Sequence, residues 1–251
     1  MPRRILVRAI AFAVAAIALA SPVHAVMPVV FGTSWDGPTK SLQAIVDARY
    51  GAGHIDVTRD FAGAHLDDVD PWCWTGDRFY AYMIREVAGN ASRNSLCWYE
   101  ENGTRPVFPG AGIVFDGPSG TGATNVITFT RPMLRFGFLM DPNGPLGATN
   151  APQPELFFTN RRFNDAGPNG VALHAPVGGD VQALVYDVSP WAAPNTWLVC
   201  FEDLDSGAVP GPPGASDTDN DFNDMVFEVT VLSATPVTTL SFGALKERYR
   251  H

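Results

Sequence analysis

Lysine is all but missing from this 251-residue chain: Lys40 and Lys246 are the only two, and acidic residues outnumber basic ones 26 to 17. A formal charge of −9 at pH 7 excludes the electrostatic footprint of a nucleic-acid or anionic-membrane binder. Cysteine is scarce too. Cys73, Cys97 and Cys200 are far apart and form no CxxC pair, which argues against a cysteine metal site. GxSxG, HExxH and Gly-rich phosphate-loop motifs are absent, and His54, His65, His174 and His251 are scattered. No catalytic residue is expected, and Glu86, Glu100 and Glu202 qualify as glycosidase acids only as any acid would. The expectation is a protein that is not an enzyme.

What is present starts with a leader. Arg3, Arg4 and Arg8 precede an apolar run from Ala9 to Ala20, and Val23-His24-Ala25 carries small residues where a signal peptidase cuts. The run is too short to span a bilayer, and no later stretch is long and apolar enough to do so. Residues 1–25 therefore read as a signal peptide, residues 26–234 as one domain, and residues 235–251 as a linker and C-terminal tail. Losing three arginines leaves 14 basic against 26 acidic side chains, a charge of −12. Export into an oxidising compartment permits one disulfide and leaves one thiol over. Cys73 with Cys97 is the nearer pair in sequence.

The domain reads as all-β. Alternating apolar residues, punctuated by 24 Gly and 21 Pro, mark short strands from Val26 to Phe31, His54 to Phe61, Arg78 to Val87 and Leu96 to Glu100. Further ones run from Ile113 to Phe115, Asn125 to Phe129, Leu134 to Met140, Glu155 to Thr159, Val171 to His174 and Val181 to Val188. One helix is expected, capped by Ser41, carrying Leu42, Ile45, Val46 and Arg49, and closed at Gly51. The spacing predicts a single β-sandwich of jelly-roll type. In the tail, Phe242, Leu245 and Tyr249 sit at helical spacing, which suits either a docked terminal helix or a sorting tag.

The segment from Trp197 to Val231 carries the chemistry. Two alternating strands flank an acidic loop, and in the second Met225, Phe227, Val229 and Val231 share a face. Glu202, Asp203, Asp205, Asp217, Asp219, Asp221 and Asp224, with the carboxamide of Asn223, crowd about two dozen residues. Such a set repels itself unless a hard cation screens it, so calcium is the expected cofactor. Magnesium and manganese share the same ligand chemistry. Asp217-x-Asp219-x-Asp221 superficially copies an EF-hand, with Asn223 seventh and Glu228 twelfth. Phe222 stands where that loop needs glycine, and a strand follows instead of a helix. The competing reading is a metal-free turn, because Asp and Asn cap their own backbone.

At these residues a resemblance becomes specific. FEDLDSG…DTDNDFNDMVFEV resembles the signature of a bacterial exported β-sandwich domain of unknown function, often found in proteins with PEP-type C-terminal sorting signals. LQAIVDARYGAG, REVAGNASRNSLCWYEENG, RFGFLMDPNGP and VQALVYDVS are similar to other parts of that pattern. The resemblance implies one domain with a non-catalytic surface or matrix role. It also bears on the cysteines. The family pattern has glycine where this chain has Cys97 and Cys200, which implies neighbouring positions and a Cys97–Cys200 disulfide in place of Cys73–Cys97. The tail lacks a PEP-type signal, while SFGALKERYR resembles a short ending seen on some exported bacterial proteins.

The resulting expectation is a secreted, calcium-stabilised protein at the bacterial cell surface or in the matrix. Its partners would be extracellular polysaccharide or surface proteins. The alternative is a carbohydrate-binding module, which stacks exposed aromatics on sugar rings. Trp35, Trp72, Trp74, Trp98, Trp191 and Trp197 supply the material. Trp72 and Trp74 are the favoured pair, while Trp98 and Trp197 fit core packing.

Overall fold

The computed structural model describes residues 29–64, 73–88, 91–102, 112–117, 119–131, 134–142, 156–164, 181–204 and 218–232. The expected signal peptide, the tail, the Val171–His174 strand, Trp72, Asp205 and Asp217 lie outside the described residues.

Ten strands and one α-helix are described. One antiparallel sheet takes the order β1 (Trp74–Gly76), β6 (Leu134–Asp141), β3 (Ser95–Glu100), β4 (Ile113–Phe115). The two-residue β7 (Phe157–Phe158) pairs Leu139 and Met140 of β6, while β1 pairs Leu134 to Phe136. The second sheet takes the order β5 (Thr124–Thr128), β2 (Arg78–Glu86), β10 (Met225–Val231), β9 (Thr196–Phe201), β8 (Ala183–Asp187). Both sheets are open, and all their pairings are antiparallel. The chain is an all-β, sandwich-like fold with one short N-terminal helix.

Period-two alternation builds the interior. Phe79, Ala81 and Met83 from β2 and Phe227, Val229 and Val231 from β10 face Phe136, Phe138 and Met140 from β6 in one core. Aromatic rings lock the layers: Phe138 meets Phe227 at 5.3 Å and Phe79 at 5.4 Å, both edge to face. Trp74 enters this core, with a ring centroid 5.1 Å from Phe138 and 6.5 Å from Trp197. Trp98 and Trp197, half-buried, pack against it as expected.

Each sheet also has a covered outer face. Helix α1 (Leu42–Tyr50) begins at Ser41, whose side chain accepts from the Ala44 amide, and ends at Gly51 with φ of 101°. Its Leu42, Ile45, Val46 and Tyr50 lie on Leu184, Tyr186, Leu198, Cys200 and Val226, so the helix roofs the second sheet. On the first sheet, Cys97, Tyr99 and Leu139 are covered by Leu156, Phe158 and Phe163.

Those layers overturn the disulfide. All three cysteines are free. Cys97 lies beneath Phe158 on the outside of one sheet, and Cys200 beneath α1 on the outside of the other. The whole aromatic core separates them. Cys73 precedes β1, and β6 runs between it and Cys97. Glycine in a family pattern marks a small position on a strand; it does not say which face of which sheet that position occupies.

Two strand expectations fail as well. Residues 54–61 form turns in place of a strand. Asp56 accepts from Thr58 N at 3.0 Å, while Asp56 N donates to Asp60 at 2.7 Å, so side chains capture the backbone that a ladder would need. Ile55 and Val57 are still buried. Gln43 Nε2 donates to Ile55 O, and Tyr186 Oη donates to Val57 O at 2.7 Å. The described residues 29–31 are likewise not a strand. Phe31 instead packs on Phe61 and Phe222.

Candidate metal centre

The centre lies where β9 ends and β10 begins. Phe201 pairs with Met225, and both face the core, so the next residues along, Glu202 and Asp224, oppose each other on the helix side. Like charges directly across a ladder destabilise it. Here they are also buried, at 0 % exposure for Glu202 and 7 % for Asp224. Asp203 N donates to Asp224 Oδ2 at 2.8 Å, which fixes the second carboxylate.

The approach to β10 is tightly wound. Asn220 and Phe222 both take left-handed backbone, with φ of 49° and 55°. For a bulky phenylalanine this conformation is strained, and it persists only where surrounding contacts impose it. Phe222 N donates to Glu202 Oε2 at 3.3 Å, and its ring packs on Phe31. Thr218 Oγ1 donates to Glu202 Oε1, and Asn223 N donates to Asp221 Oδ1 at 3.0 Å. The sixth place of the would-be EF-hand thus adopts the glycine-like turn without glycine. The strand that follows still separates it from an EF-hand.

The N-terminal segment is stitched onto this loop. Trp35 N donates to Asp219 Oδ2 at 2.7 Å, and Gly32 N donates to Asn220 O at 3.0 Å. Asn223 Nδ2 donates to Ser34 Oγ, to Lys40 O and to Asp221 Oδ2. The side-chain oxygens fall into two clusters. Glu202, Asp203 and Asp224 form one and Glu202, Asp219 and Asp221 the other, each with ligand atoms within 4.8 Å of one another. Six of the eight sequence candidates are placed here: Glu202, Asp203, Asp219, Asp221 and Asp224 in the clusters, and Asn223 beside them.

Two participants were not legible in the sequence. Glu86 closes β2 opposite Met225, and burial first, then the Asp203 charge, pushes its carboxyl up to about 8. Asn94, 1 % exposed just before β3, donates from Nδ2 to Asp203 Oδ2 at 3.0 Å. Only the sheet order and the loop into β3 bring them here. No spacing signal encodes it.

Burial dominates the electrostatics. It raises Glu202 to about 8, helped by the charges of Asp219 and Asp221. Asp221 rises to about 6 for the same first cause, and Asp219 and Asp224 rise too. Among the described residues, no Lys or Arg forms an ion pair with Glu202, Asp219, Asp221 or Asp224. Glu228 shows the contrast. It is equally buried, yet Arg49 reaches both its oxygens at 3.0 and 2.9 Å and Tyr50 Oη donates at 2.7 Å.

Sugar-stacking aromatics fare differently. Trp74 is 6 % exposed inside the core and offers no face to a ligand. Among the described tryptophans, Trp191 is the exposed one, at 41 %, stacked on His54 with an interplanar angle of 15°. No helix among the described residues is long and apolar enough to cross a membrane. Comparison with protein-family models, with curated proteins and with solved structures finds no match, so the resemblance of the acidic hairpin rests on its motif alone.

Proposed function

We propose that the protein is a secreted, non-catalytic β-sandwich stabilised by calcium, with a structural or adhesive role at the cell surface or in the matrix. One observation carries the reading. Four buried carboxylates, Glu202, Asp219, Asp221 and Asp224, converge without a basic partner among the described residues. Buried charges of one sign either take up protons or bind a cation. Oxygen-only ligands select calcium over softer metals. With each carboxylate under a tenth exposed, the site admits an ion or water and excludes a sugar-sized substrate. The leader and the motif's resemblance to exported domains support secretion.

Thermal melting of the full chain tests it. In chelator, these carboxyls titrate higher folded than unfolded, so the folded state holds more protons across the window. Their stabilisation is complete near pH 4 and is lost as pH rises through about 6 for Asp221 and about 8 for Glu202. Millimolar calcium is expected to raise the midpoint most at pH 8, where the ligands are ionised. An unchanged midpoint at pH 8 removes the reading.

A carbohydrate-binding module is the second reading, and exposed Trp191 on its His54 platform favours it. On a glycan array, wild type is expected to bind and Trp191→Ala to lose the signal. Equal silence from both leaves the structural reading alone.

A further inference from the structure

The centre is larger than one ion can use. Oxygens around a single calcium lie 2.3–2.6 Å from it, hence about 5 Å apart at most. Each triad meets that limit, and among the described residues no triad combines Asp203 or Asp224 with Asp219 or Asp221. Only Glu202 belongs to both. An ion in the first triad therefore leaves Asp219 and Asp221, which form no ion pair among the described residues, uncompensated in the interior.

A second, independent feature marks each triad. Asn94 and Asn223 are each 1 % exposed, and their Oδ1 atoms are buried without a hydrogen-bond partner. A buried carbonyl oxygen left unpaired costs about 1–3 kcal/mol. Asn94 Nδ2 rests on Asp203, which holds its carboxamide against the first triad. Asn223 Nδ2 rests on Asp221, which holds its carboxamide against the second. Glu86 Oε1, buried and unpartnered, adds an oxygen on the Asp203 side. Each half thus has three carboxylates and, bonded to one of them through its nitrogen, a buried carboxamide whose oxygen is orphaned, and calcium accepts both oxygen types.

Building on the cation-site reading, we propose that the centre binds two calcium ions bridged by the Glu202 carboxylate. Glu202, Asp203, Asp224 and Asn94 Oδ1 hold one. Glu202, Asp219, Asp221 and Asn223 Oδ1 hold the other. The first ion joins the β9–β10 junction to the loop before β3. The second joins that junction to the loop bearing Asp219, onto which the segment around Trp35 is bonded. Glu202 is the carboxylate that both triads share.

Equilibrium dialysis of the full chain against calcium alone, after chelator treatment, reads the stoichiometry. Two ions per chain are expected. Asp219→Asn with Asp221→Asn should leave one, and Asn94→Ala should weaken only the retained ion, by roughly 10–100-fold. Should the double variant fail to fold, Asn94→Ala alone must still split the isotherm into one tight and one weak ion. One ion per chain in wild type, or an isotherm that Asn94→Ala leaves unsplit, overturns the bridged pair while leaving a calcium-stabilised fold intact. No bound calcium overturns both.

Discussion

Glu202→Gln is expected to reverse sign with calcium: less stable than wild type with the ion, more stable than wild type in chelator at pH 8. The substitution keeps the shape and one carbonyl oxygen to accept from Thr218 Oγ1 or Phe222 N. It removes a charge that is 0 % exposed and sits among Asp203, Asp219, Asp221 and Asp224. Without a cation, that charge only repels, so its loss relieves the folded state. With calcium at 100 times its dissociation constant, an intact site adds about 2.7 kcal/mol, and the variant forfeits most of that. Urea titrations at pH 8, in calcium and in chelator, measure both signs. If Glu202 were only a hydrogen-bond bracket for Phe222, the two shifts would be equal.

Phe138→Ala is expected to cost about 3–5 kcal/mol under either condition. Phe138 is fully buried in β6 and touches Trp74, Phe79, Phe136 and Phe227, so it joins the two sheets from the middle. These neighbours are rings held by strand pairing, and they cannot collapse far into the space left behind. Urea unfolding should show a lower midpoint with little change in slope. A loss below about 1 kcal/mol would mean that the sheets are not packed through this ring.

Much of this was legible in the chain, and the reason is periodicity. Met225, Phe227, Val229 and Val231 announce an inward face, and the structure places all four in the core. Ser41 and Gly51 announce the limits of α1 and set them. Turn chemistry was harder to read. Ile55 and Val57 alternate like a strand, yet Asp56 and Asp60 bind the neighbouring amides and hold a turn.

The site was half legible for a related reason. Density of carboxylates along the chain locates the β9–β10 hairpin, because both sides are local in sequence. Glu86 and Asn94 arrive through β2 and the loop before β3, more than a hundred residues away. The cysteines failed on the same ground. Two strand positions of similar size lay on the outer faces of different sheets, and only the layering distinguishes them.

Hydrogen exchange over residues 29–40 and 218–224 tests the central claim most directly. In that region Gly32 and Trp35 donate to the acidic loop, and Phe222 donates to Glu202. If bound calcium holds the junction together, every opening that exposes these amides must release it. At 100 times its dissociation constant, calcium should slow their exchange about a hundredfold relative to chelator. Amides of β5, the edge strand that β2 separates from β10, should change only as much as global stability does. Identical exchange of the 29–40 and 218–224 amides in calcium and in chelator would contradict the account.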